Sequence, residues 1–141
     1  MSITKTLKGL VNQFNEEATK RYRVKAAVPV RTHRTRLGVS PSDYSEELGW
    51  DKGVRSEDGH QEWRLYSIQI RTFSDTGEVS KKVTPLHRCS TLHLSRLLTS
   101  LPDLVDELER KLQQIHDDSA VAKKNLLSAL ERVQQANQDA L

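Results

Sequence analysis

Cysteine is nearly missing from this chain: Cys89 is its only thiol in 141 residues. No disulfide can form within one copy, which excludes a small cross-linked scaffold and agrees with a reducing compartment. Aromatic residues are scarce too, with two Trp, three Tyr and two Phe. The hydrophobic share is 35 %, below the ~45–50 % usual in globular chains when Gly is also counted, so the expected core is modest and a large enzyme cleft is not expected. No apolar run approaches the ~18–20 residues that a membrane helix needs. The start, Met1-Ser2-Ile3-Thr4-Lys5, lacks the apolar stretch of a signal peptide. The expected setting is therefore cytoplasmic, without a membrane partner. Gly49, Gly53 and Gly59 fit neither a Walker nor a dinucleotide fingerprint. His87, Cys89 and His93 have the residue types of a metal site but lack a second half at ligand spacing, and Cys89 beside Arg88 reads as a structural thiol rather than a nucleophile. The adjacent pairs Glu46/Glu47 and Asp117/Asp118 read as charged surface. No catalysis, cofactor or metal is expected.

What is present is charge, unevenly placed. The formal net charge is +3, yet residues 1–38 hold nine Lys/Arg against Glu16 and Glu17, a balance of +7 that leaves −4 for residues 39–141. Between Ala18 and Ser42 no acidic residue occurs, while Lys20, Arg21, Arg23, Lys25, Arg31, Arg34 and Arg36 all do. Such a block points to a polyanionic partner.

The spacing predicts four segments. In residues 1–23, Ser2 can cap a helix in which Ile3, Leu7, Leu10, Val11, Phe14 and Ala18 form one stripe. Residues 24–62 are expected as a basic extended arm or edge strand up to Ser40, then a loop rich in Gly, Ser, Asp and Glu with room for one helical turn at Pro41–Leu48. Residues 63–101 contain the clearest strand, Trp63–Phe73, a turn at Ser74-Asp75-Thr76-Gly77, and a second β-like stretch, Glu78–Thr84. This hairpin is expected to bury Tyr66, Ile68 and Ile70 and to turn a mixed aromatic and cationic face outward. Arg88–Ser95 fits strand or helix. Residues 102–141 carry apolar or small residues at alternating spacings of three and four, Val105, Leu108, Leu112, Ile115, Leu126 and Val133 among them. This is a long C-terminal helix with a heptad seam for self-association or docking on a partner helix, continuous or broken near 116–119. The fold class is α+β: an N-terminal amphipathic helix, a small antiparallel sheet and the long helix.

Tyr66-Ser67-Ile68-Gln69-Ile70-Arg71-Thr72-Phe73, the turn Asp75-Thr76-Gly77-Glu78, Lys81-Lys82 and the stretch from Leu97 to Leu108 resemble the single-stranded-DNA-binding transcriptional coactivators, relatives of the Whirly proteins. The likeness covers some 50 residues at most and lacks that family's compact second hairpin. It implies a curved antiparallel sheet followed by an amphipathic helix that helps dimerisation. It also implies unpaired nucleic acid on the sheet, held by Arg71, Lys81, Lys82 and an outward Trp63 or Phe73. Val24–Val39 would have to supply the missing strand or strands.

The expected function is non-catalytic binding of nucleic acid, single strands favoured. Arg21, Arg23, Lys25, Arg31, Arg34 and Arg36 would contact phosphates, and Trp63, Arg71, Phe73, Lys81 and Lys82 would hold the strand. The alternatives are a small phage- or plasmid-type inhibitor or adaptor that docks its arm and C-terminal helix on a protein, and a subunit of a larger assembly.

Overall fold

The computed structural model describes residues 2–35, 42–53 and 62–140, with His33–Thr35 described by backbone alone. Helix α1 (Ile3–Arg21) is followed by strands β1 (Ala26–Thr35), β2 (Ser42–Asp51), β3 (Arg64–Phe73) and β4 (Val79–Pro85). A short 3-10 turn (Leu86–Arg88), helix α2 (Thr91–Leu98) and helix α3 (Leu101–Asp139) complete the order. The strands form one antiparallel meander, β1-β2-β3-β4. The α+β class, with its two terminal helices around a small antiparallel sheet, is as the sequence predicts.

Local signals explain the helices. The Ser2 hydroxyl accepts the Lys5 amide at 3.2 Å, and the Ser90 hydroxyl accepts that of His93 at 3.3 Å, so serines cap α1 and α2. The ambiguous stretch at Arg88–Ser95 is thus resolved in favour of a helix. Ser100, directly before α3, donates its hydroxyl to the Pro29 carbonyl oxygen at 3.4 Å and ties the start of α3 to β1. Helix α3 runs unbroken through 116–119, supported by Gln113 and Gln114 donating to Asp117 and Asp118 one turn on, each at 2.9 Å.

The segment expected as arm and loop needs correction. Its first half is the edge strand β1, one of the two forms anticipated, but Ser42–Asp51 is a central strand with no helical turn. The reason is alternation: Tyr44, Glu46, Leu48 and Trp50 share one face, and all but Tyr44 are fully buried. Residues 54–61 of the expected loop lie outside the described residues.

The core lies between this face and the helices. Trp50 is sealed by Phe14 of α1, edge-on at 5.8 Å, and by Trp63, stacked at 6.2 Å and 15°. Its indole N–H donates to the Tyr22 carbonyl at 3.0 Å, and Asn15 of α1 accepts the Leu65 amide at 3.1 Å. The Trp63-Leu65-Gln69-Arg71-Phe73 side of β3, expected outside, is therefore the helix-covered side at its Trp63 end. Aromatic stacking on the buried Trp50 outweighs exposure there. Tyr66 and Ile68 are buried on the opposite face, as anticipated, whereas Ile70, expected with them, is only half-buried. Ile68 folds over Gly49, where an added methyl would come within 2.6 Å of its Cδ1.

The β1–β2 register contains one irregularity. Ala26 to Pro29 pair regularly with Trp50 to Glu47, but the register shifts between Pro29 and Arg31, so Arg31 rather than Val30 stands opposite Glu46. An extra residue reverses which face later side chains occupy. The bulge thereby turns Arg31 toward the core.

Two compact units result, 1–108 and 109–141. The first holds the sheet, α1, α2 and the buried Leu104 and Leu108; the second is the remainder of α3. Trp50→Phe should destabilise the fold by about 2 kcal/mol, because the Tyr22 carbonyl loses its donor and the smaller ring leaves a gap. Chemical denaturation followed by circular dichroism measures it.

Candidate functional site

Among the described residues the most concentrated chemistry is built around Glu46, whose side chain is completely buried. A carboxylate removed from water needs partners. Its Oε2 lies 2.6 Å from His93 Nε2 and accepts from Gln69 Nε2 at 3.2 Å, with the Ser67 and Tyr44 hydroxyls each at 3.4 Å. Its Oε1 faces Arg31 Nε at 3.5 Å, an ion pair without an aligned hydrogen bond. The Arg31 guanidinium also sits 5.5 Å from the centre of the Tyr44 ring. Each partner is delivered by a local rule: Ser67 and Gln69 by alternation on β3, Arg31 by the bulge, and His93 by the Ser90 cap at the first turn of α2. Glu46 was read from sequence as surface charge. The signal that could have revealed it is its position between Tyr44, Leu48 and Trp50 at a period of two.

Burial pushes the Glu46 carboxyl up, but hydrogen bonds from His93 and Gln69 and the charges of His93 and Arg31 outweigh it, leaving the group below its ordinary value. Cys89, the lone thiol, is buried and pushed up by that burial and then by the Glu46 charge, with Lys8 opposing. It is a packed thiol, not an activated one. His93 belongs to Glu46, and among the described residues no group of three or more His, Cys, Asp or Glu is placed to hold a metal.

The residues expected to bind a polyanion are dispersed. Arg21 ends α1 with its guanidinium 5.7 Å from the centre of the Tyr22 ring, and Arg23 is exposed in the next connection. Lys25 pairs with Asp51 at 3.3 Å, Arg31 faces Glu46, and Arg34 stands opposite Asp43 in the ladder. Arg36 lies outside the described residues. The basic run thus meets an acidic strand of its own chain, since Asp43, Glu46, Glu47 and Asp51 all lie on β2. Trp63 is half-buried on Trp50, Phe73 is half-buried at the end of β3, and Arg71 is exposed. Lys81 and Lys82 are neighbours on the edge strand β4 and point to opposite faces, opposite Ile70 and Gln69.

The seam residues divide differently. Leu108 is buried and Val105 and Leu112 are half-buried, whereas Ile115, Leu126 and Val133 remain 50 %, 71 % and 55 % exposed. Among the described residues no element covers those three.

Glu46→Gln should cost about 2 kcal/mol, since a buried ion pair loses one member. It should also flatten the acid limb of stability. A carboxyl that ionises more readily folded than unfolded adds stability above its unfolded pKa of about 4.3, and that contribution is lost as pH falls through the lower folded value. Denaturation midpoints between pH 3 and 7 should show the wild type losing more stability than the variant. No family model, curated protein or solved structure matches this chain.

Proposed function

We propose that this protein is a non-catalytic assembly subunit, a small α+β body that associates through the heptad seam of α3. One observation carries the reading: the helix that buries Leu104 and Leu108 in the body continues into Ile115, Leu126 and Val133, which are exposed and which no element among the described residues covers. A helix of 39 residues is more than three times the usual ~11–12, and most helical stability in proteins comes from packing an apolar face. A partner helix supplies that packing. Light scattering over a range of concentrations should find an oligomer. Leu126→Glu with Val133→Glu should weaken association by at least about a hundredfold, given ~1.5–3 kcal/mol for burying each side chain, while the folded body is retained. A concentration-independent monomer for the unaltered chain overturns the proposal.

Single-stranded nucleic-acid binding remains a second reading, favoured by the β3–β4 edge. Among the described residues Arg71, Lys81 and Lys82 are exposed and make no ion pair, unlike Lys25 and Arg31. Three phosphate contacts to a single strand give a slope of about −2 for log K against log salt. Fluorescence titration of a labelled oligonucleotide should find that slope and its loss when all three become Ala. Equal binding by the triple variant rejects this reading.

A further inference from the structure

We infer that the occupant of the α3 seam is a second copy of this chain lying antiparallel, with the two helices crossing their symmetry axis at Asn125. This rests on the assembly reading and adds orientation and register, both fixed by which side chains meet.

With Leu112, Ser119, Leu126 and Val133 at heptad position a, position d is Ile115, Ala122, Ala129 and Ala136. The flanking g positions are Lys111, Asp118, Asn125, Arg132 and Asp139. Every residue named beyond Leu112 is exposed, and Leu112 is half-buried. In a parallel pair each core residue meets itself, so Ser119, Ala122, Ala129 and Ala136 form thin layers between the thick layers of Leu112, Ile115, Leu126 and Val133. In an antiparallel pair a residues face d residues. In the register centred on Asn125, Leu112 faces Ala136, Ile115 faces Val133 and Leu126 faces Ala122. Only Ser119 with Ala129 joins two small residues. Ile115 with Val133 joins two large ones, while the Leu112–Ala136 and Leu126–Ala122 layers set large against small, which lets their side chains interlock, whereas the parallel pair has no such mixed layer.

The charges select the same register independently. Antiparallel helices bring g against g, and here Asp118 meets Arg132 of the second copy while Lys111 meets Asp139, each twice by symmetry. A slip of one heptad in one direction sets Lys111 against Arg132; a slip in the other sets Asp118 against Asp139. The parallel arrangement, in which g meets e, offers one opposite-sign contact, Asp118 with Lys123. The chosen register has one like-charge meeting on the e side, Lys123 with its own copy, where a long side chain can reach away into water. Charge pattern and volume pattern therefore agree on one orientation.

Cysteine cross-linking in the full-length protein tests orientation directly. Asn125→Cys should be captured as a covalent dimer by a short bis-maleimide, because the two copies of position 125 meet at the axis, and Ser119→Cys should not. The unaltered chain, whose Cys89 is buried, is the control. Capture through Ser119→Cys alone, or equally through both, overturns the antiparallel register and leaves assembly intact, whereas a monomer overturns both. In a second test, Arg132→Glu should weaken the dimer by roughly tenfold, and Asp118→Lys added to it should restore the affinity. A parallel dimer would be indifferent to Arg132→Glu, and that result also overturns the inference.

Discussion

A single buried carboxylate organises the body of this protein. Glu46 sits in the middle strand pair with no exposure, and a charge in that position is tolerated only when its surroundings are arranged to receive it. The arrangement draws on β1 for Arg31, β2 for Tyr44, β3 for Ser67 and Gln69, and α2 for His93. The departure of β1 from a regular ladder has its reason here. With regular pairing Val30 would face Glu46, and the aliphatic side chain would leave the carboxylate dependent on His93 for its charge balance. The bulge places the cation there instead. The same contact orients α2, because His93 can reach Oε2 only when the Ser90 cap starts the helix where it does.

That constraint also explains which parts of the fold were legible in the sequence. Helices α1 and α3 announce themselves because a helix is stabilised by residues three and four apart, and the stripes Leu7-Val11-Phe14-Ala18 and Leu108-Leu112-Ile115 lie within a few residues of one another. Strand β2 does not, because its justification is non-local. Asp43, Glu46, Glu47, Gly49 and Asp51 compose a loop by local preference. They become a strand because Leu48 and Trp50 are buried on one face and because Lys25, Arg31 and Arg34, nine to twenty-six residues earlier, stand opposite or beside Asp51, Glu46 and Asp43. By itself the excess positive charge of the first quarter points to an outside polyanion. Much of its complement is supplied internally, by the neighbouring strand.

The aromatic residues follow the same logic. Trp63 was legible as a strand residue but not as a core residue, since its burial depends on Trp50, which lies in the strand that local composition concealed. Once β2 is placed, Phe14, Trp50 and Trp63 form one cluster joining α1 to the sheet, and little of the scarce aromatic content is left for an outer face. The body uses its apolar material on itself. Most of the large apolar side chains that remain exposed fall on α3, and the proposed assembly rests on them.

The ends of the sheet have a consequence of their own. Both edge strands are poor templates for further pairing: β1 carries Pro29, which has no amide hydrogen to offer, and a bulge directly after it, while β4 presents Lys81 and Lys82 along its length. Exposed sheet edges are the surfaces through which separate copies of a chain can fuse into continuous β-structure. Here such fusion is blocked at both edges. In the proposed assembly the number of copies gathered is therefore set by the seam rather than by runaway growth of the sheet.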